Sequence, residues 1–134
     1  MPLVLHVVTP SAEPLNVEVD EVVAPGAHGE LGFLPGHIPL ISALRPGVLT
    51  TIKEGRPSMY VVGFGFAEID NDTVTLLAST FEPIKDIDVE RAKRALADAQ
   101  AKLKDLGPED PGYIEHERRA ARAQARIDAA ARAS

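Results

Sequence analysis

His28, Glu30 and His37 stand close together in the chain and are its best-suited side chains for holding a metal. Imidazole and carboxylate in this order would suit zinc or iron, as in a small metal-dependent β-barrel enzyme. A third histidine or a second carboxylate at close spacing is missing, so the competing reading is of loop residues exposed for contact or bonded to backbone. With no cysteine in the chain, thiol nucleophiles, Cys-ligated zinc and disulfides are excluded. Gly26-Ala27-His28-Gly29 and Gly63-Phe64-Gly65-Phe66 have the glycine content of phosphate loops. Neither opens a helix and neither is followed by Lys-Ser or Lys-Thr, so the dipole and Mg²⁺ parts of that chemistry are absent. No serine, histidine and acid share the spacing of a nucleophile elbow. The remaining chemistry-bearing group is a set of arginines, Arg118, Arg119, Arg122 and Arg126, near the C-terminus.

The first cluster lies in residues 25–47, where five glycines and four prolines interrupt the apolar residues. Neither a helix nor a long strand can run through such punctuation. The pairs Pro25-Gly26, Pro35-Gly36 and Pro46-Gly47 each read as a tight turn, with short strands near 31–34 and 40–44 between them. Around this stretch the alternation of apolar residues predicts further strands. Residues 3–8 are apolar on both faces until Thr9-Pro10-Ser11 ends the run, and 15–20 alternate cleanly. Strands follow at 22–24 and 48–52, the latter returned by a loop over Lys53-Glu54-Gly55-Arg56-Pro57. A long strand over 59–69 has Tyr60, Val62, Phe64 and Phe66 on one face, and 73–78 closes the set. Short strands with no helix between them imply an antiparallel β-sandwich or flattened barrel.

The pattern changes at Glu82-Pro83-Ile84-Lys85-Asp86, which divides a domain of residues 1–84 from one of 85–134. Ala92, Ala95, Leu96, Ala99, Leu103 and Leu106 recur at the helical period, with Asp86 or Asp88 as N-cap and Gly107-Pro108 as the stop. Asp110 with Pro111 opens a second helix, on which Ala120, Ala123, Ile127 and Ala130 form a stripe and the four arginines a separate face. An antiparallel two-helix hairpin results. Its contacts are mostly alanine methyls, each contributing only about 0.8 kcal/mol, so the hairpin is expected to open more readily than one with a leucine seam.

The chain has 134 residues and a net charge of -6. The charge is uneven: positions 1–84 carry three basic and ten acidic residues, and positions 85–134 eleven basic and ten acidic. The first part has too few cations to grip phosphates, which excludes nucleic acid as the main partner. No stretch approaches the ~18 apolar residues of a membrane span, and Met1-Pro2-Leu3 reads as the start of the fold with no signal or transit peptide.

Gly29-Glu30-Leu31-Gly32, Leu34-Pro35-Gly36-His37, Pro39-Leu40 and Leu44-Arg45-Pro46-Gly47, followed by a hairpin opening with Ile87-Asp88-Val89-Glu90-Arg91-Ala92, resemble the epsilon subunit of bacterial F-type ATP synthases over nearly the whole chain. The resemblance implies a non-catalytic rotor subunit that couples proton-driven rotation of the c-ring to ATP synthesis. Its partners would be the gamma subunit, the c-ring and the alpha and beta subunits, at the cytoplasmic side of the cell inner membrane. Glu30 and His37 become the c-ring contact. Arg118, Arg119, Arg122 and Arg126 become cations that pair with acidic segments of beta when the hairpin extends and inhibits hydrolysis. No cofactor is required. ATP is implied as a regulatory ligand, held by Glu82, Ile87, Asp88, Arg91, Arg122 and Arg126. Asp98 departs from the pattern of strong binders, which carry an arginine there, and a carboxylate at that place repels phosphate. A free-standing ATP-binding module is a further alternative to the rotor subunit.

Overall fold

The computed structural model describes residues 2–10 and 12–133, leaving aside the side chains of Ala12 and Ala133. It divides into two compact units, Met1–Pro83 and Ile84–Ser134.

The first unit has ten strands among the described residues. They are β1 (Leu3–Thr9), β2 (Ala12–Val19), β3 (Glu21–Gly26), β4 (Gly29–Phe33), β5 (Leu40–Leu44), β6 (Gly47–Lys53), β7 (Arg56–Val62), β8 (Gly65–Asp70), β9 (Thr73–Ala78) and β10 (Phe81–Pro83). They run in the order β10-β7-β6-β3-β5-β8-β9-β1-β2, with β4 paired to β3. Leu5 of β1 and Leu49 of β6 lie far apart along this path, yet both belong to one buried cluster with Val22, Phe33, Ile69 and Leu76. The sheet therefore curls over and packs on itself, the sandwich expected from the alternation. Each such side chain contributes about 1.5–3 kcal/mol on leaving water.

Pairing is antiparallel except between β1 and β9, which are parallel from Val4–Thr73 to Val8–Leu77. Parallel neighbours need a long crossover, and the intervening strands supply it. β1 is covered on one face only: Leu3, Leu5 and Val7 are buried, while Val4, His6 and Val8 are half-buried. The strand ends at a turn after Thr9, with Ser11 outside the described residues.

Three local expectations change. Pro25 and Gly26 are the last residues of β3, and the turn is displaced to Ala27-His28. Gly26 is required there by close approach, because a Cβ would lie 2.6 Å from the Gly29 carbonyl oxygen. The loop after β6 shrinks to Glu54-Gly55, since Arg56 and Pro57 pair with Lys53 and Ile52. Pro57 is tolerated because β10 covers β7 only from Tyr60 to Val62, leaving Pro57 at an edge. The long strand over 59–69 is two strands. A Cβ on Gly65 would strike the Leu77 carbonyl oxygen and approach the Ala78 Cα to 2.8 Å, so the chain breaks phase at Gly63-Phe64 and Phe66 emerges 54% exposed on the outer face.

In the second unit a 3₁₀ turn (Ile84–Asp86) leads to α1 (Val89–Lys104) and α2 (Tyr113–Ala133). Asp88 is the N-cap of α1, its Oδ1 accepting from the Arg91 backbone N–H at 3.1 Å. Asp110 does not cap α2. Its Oδ2 accepts from the Gly107 N–H at 2.5 Å and closes the interhelical turn, so α2 begins only after Pro111-Gly112, with Gly112 at φ +88. On α1 Ala92 and Ala99 are buried, and on α2 Ala123, Ala125 and Ala129.

Candidate functional site

The first unit offers a cluster of turns. At the turn between β4 and β5, the Gly36 N–H donates to Asp72 Oδ1 at 2.7 Å, tying it to the β8–β9 turn. Phe33, 1% exposed, anchors the loop in the core, and His37 meets its ring edge-on at a centroid distance of 5.5 Å. His37 Nδ1 lies 2.6 Å from the Ile38 carbonyl oxygen; since a carbonyl only accepts, Nδ1 carries the proton and donates. These bonds hold Leu34 and Ile38 outward, 55% and 75% exposed. Arg45 Nε donates to the Gly26 carbonyl at 3.1 Å and braces the β3–β4 hairpin. The result is an apolar rim of Leu34 and Ile38; Glu30 is exposed on β4, at the end nearer the β3–β4 turn.

That geometry overturns the metal reading. His28 and Glu30 are exposed, His37 is turned onto Phe33 and its own backbone, and no three His, Cys, Asp or Glu side chains among the described residues could hold an ion. Both glycine segments serve close packing and turns, as the Gly26 and Gly65 contacts require.

The second unit carries the charged cluster. Arg119 Nη2 of α2 donates to Asp98 Oδ2 of α1 at 3.0 Å, and Lys102 Nζ stands 3.6 Å from the same oxygen. Arg119 Nη1 donates to His116 Nδ1 at 3.0 Å; a guanidinium has no acceptor, so that neutral ring has its proton on Nε2. The bonded Arg119 guanidinium, and after it the charge of Lys102, hold Asp98 below the ordinary carboxylate range. The separate arginine face expected from the sequence is not separate. Arg118 is exposed, but Arg119, Arg122 and Arg126 are half-buried, each three or four residues from a buried alanine, Ala123, Ala125 or Ala129. Alanines leave room that long arginine stems fill.

The residues expected at a nucleotide are divided. Glu82 is half-buried on β10 of the first unit. Ile87 is half-buried and its N–H donates to the Ile84 carbonyl at 3.1 Å, Asp88 is the helix cap, Arg91 is exposed on the first turn of α1, and Arg122 and Arg126 lie four apart on α2. Sequence reasoning missed the Asp98–Arg119 pair, treating Asp98 only as a repulsive group. The available signal was an acid facing the other helix across an alanine seam. It also missed the exposed row of Phe66 and Leu77, paired across β8 and β9.

A turn-rimmed β-sandwich with exposed apolar side chains, followed by an alanine-lined helical hairpin, has the surfaces of an assembly subunit that contacts other proteins. The family models of the ATP synthase delta/epsilon chain match in the same order, its β-sandwich domain over residues 2–84 and its long α-helix domain over 85–131. The chain belongs to this family, on its bacterial epsilon side. It is 42% identical to the ATP synthase epsilon chain of Myxococcus xanthus over 128 residues, 96% of this chain and 94% of that one. With the epsilon chain of Anaeromyxobacter sp. (strain Fw109-5) it shares 46% over 132 residues, 98% and 100% of the two. A chain in the structure of Euglena gracilis mitochondrial ATP synthase (OSCP/F1/c-ring) superposes with TM-score 0.80 at 26% identity, covering 97% of this chain and 81% of that one. One from the Tetrahymena thermophila central stalk and c-ring shares the fold at TM-score 0.62 and 14% identity. The family is a non-catalytic one within the rotary ATP synthase, and no helix among the described residues is long and apolar enough to cross a membrane.

Proposed function

We propose that this chain sits in the central stalk of a proton-driven F1Fo ATP synthase, peripheral to the inner membrane on its cytoplasmic side, and links rotation of the c-ring to ATP synthesis. The observation that carries the reading is the agreement of both units, in order, with the two domains of the epsilon family over almost the full chain. The sandwich joins the gamma subunit and the c-ring. Its c-ring contact is built on Glu30 and His37, with exposed Leu34 and Ile38 as apolar neighbours that such a contact would cover.

The hairpin is a brake on ATP hydrolysis. Arg118, Arg119, Arg122 and Arg126 pair with carboxylates of the beta subunits once α2 leaves α1, each guanidinium offering a bidentate fork to an acidic side chain. ATP is a regulatory ligand and not a required cofactor. The α1 N-terminus with Ile87, Asp88 and Arg91, together with Arg122 and Arg126, supplies the polar groups for it.

The test is ATP hydrolysis by epsilon-depleted F1 titrated with the full chain and with a truncation ending at Lys85. Suppression by the full chain, with binding but no suppression by the truncation, supports both parts. If neither binds, the rotor reading fails; if both bind and neither suppresses, the brake fails alone.

A further inference from the structure

We infer that Asp98 is a built-in latch: by taking Arg119 across the hairpin it closes α2 on α1 without any ligand. The inference rests on the preceding reading only in treating the hairpin as an element that opens. The apolar seam it reinforces is weak, since its fully buried side chains are alanines. Against such a seam, a directed interhelical contact carries a larger share of closure than it would beside leucines. Asp98 makes that contact with charge on both sides, at 3.0 Å, and Arg119 is held in the right plane by His116 at its other edge. The guanidinium thus meets the carboxylate already oriented, and little side-chain freedom is lost on closing.

The same cluster explains how the latch can release. Lys102, four residues beyond Asp98 on the same helix, stands 3.6 Å from the shared oxygen and stays with Asp98 when α2 departs. Arg119 likewise keeps His116, three residues before it on its own helix. Neither charge is abandoned on opening, and both are partly exposed already, with side chains 51% and 30% accessible. A buried pair broken in this way would leave an uncompensated charge and lock the hairpin; an exposed pair with spare partners exchanges. Arg119 is therefore held by the chain's own carboxylate when closed and given up when open. A ligand anion is not needed to hold it.

Amide hydrogen exchange of the full chain tests the latch directly, reading residues 113–132 with and without millimolar ATP. Asp98→Asn and Arg119→Gln should each speed exchange there about two- to fivefold, with the strands of the first unit unchanged. The double variant should be no faster than either single one, because the two residues act through one bond. Raising NaCl should speed the wild type and leave the variants nearly unmoved. Wild-type rates in both single variants, or additive effects in the double one, would overturn the inference. So would an ATP-induced slowing in the wild type larger than the effect of losing Asp98, since the ligand would then be what closes the hairpin. The same variants titrated into epsilon-depleted F1 separate the two readings: faster exchange with unaltered hydrolysis leaves the latch standing and counts against the brake.

Discussion

Replacing Asp88 separates its two assigned roles, helix cap and nucleotide contact. Its Oδ1 accepts the Arg91 N–H at 3.1 Å, one of the first-turn donors of α1 that no carbonyl of the helix can satisfy. Asp88→Ala removes that acceptor and costs about 1 kcal/mol, the typical value for a lost cap. Since about 1.4 kcal/mol is tenfold in an equilibrium, the first-turn amides, Arg91 above all, should exchange about fivefold faster. Asp88→Asn keeps an equally good cap oxygen and removes the charge, so it should leave these amides close to the wild-type rate. ATP affinity, measured by equilibrium dialysis, provides the other axis. If Asp88 only caps, Asn matches wild type in both assays and Ala weakens any ATP binding no more than it frays the helix. If its charge organises the nucleotide, Asn alters binding while exchange stays unchanged. Equal exchange in Ala and wild type would refute the cap argument.

Three further outcomes follow from the geometry. Gly65→Val places branched carbon against the Leu77 carbonyl and Ala78 Cα; overpacking of this kind costs about 1–3 kcal/mol or more, and chemical denaturation of the first unit should show a lower midpoint with the second unit's exchange unaffected. Ile38→Asp, at a site 75% exposed, should change stability by no more than about 0.5 kcal/mol while weakening coupled ATP-driven proton pumping in reconstituted vesicles; intact coupling would remove Ile38 from the ring contact. The folded Asp98 carboxyl lies below its ordinary value, so the open state binds the proton more readily and closure strengthens as pH rises. Its contribution is fully present above about pH 4, the usual aspartate range, and is lost as pH falls through the lowered folded value. Exchange of α2, corrected for intrinsic rates, should show an acid-dependent opening that is missing in Asp98→Asn.

Much of this architecture was legible in the residues. Alternation at 15–20 and 73–78 marked half-buried strands because successive side chains point to opposite faces, and the helical period with Asp88 and Gly107-Pro108 bounded α1. The helical period also placed Ala92 and Ala99 of α1 in the alanine seam, but on α2 only Ala123 of the expected stripe is buried, with Ala125 and Ala129 in place of Ala120, Ile127 and Ala130. The errors gathered where close approach, and not periodicity, sets the chain's path. A glycine inside an apolar run reads the same whether the strand continues or breaks. The Leu77 carbonyl opposite Gly65 decides it, and with it the outward position of Phe66. Pro57 looked like a loop residue because a strand interior cannot accept it, and only the short reach of β10 leaves it an edge.

The sequence by itself determined the two-part division, the class of each part and, through its motifs, the family, since these depend on patterns local in the chain. Tertiary structure alone decided the parallel pairing of β1 with β9, the tie from Gly36 to Asp72, and the closing of Asp98 on Arg119. Each of these joins residues whose relation depends on how separate elements pack. A carboxylate that repels in the context of a phosphate site becomes a latch once an arginine twenty-one positions away is folded against it.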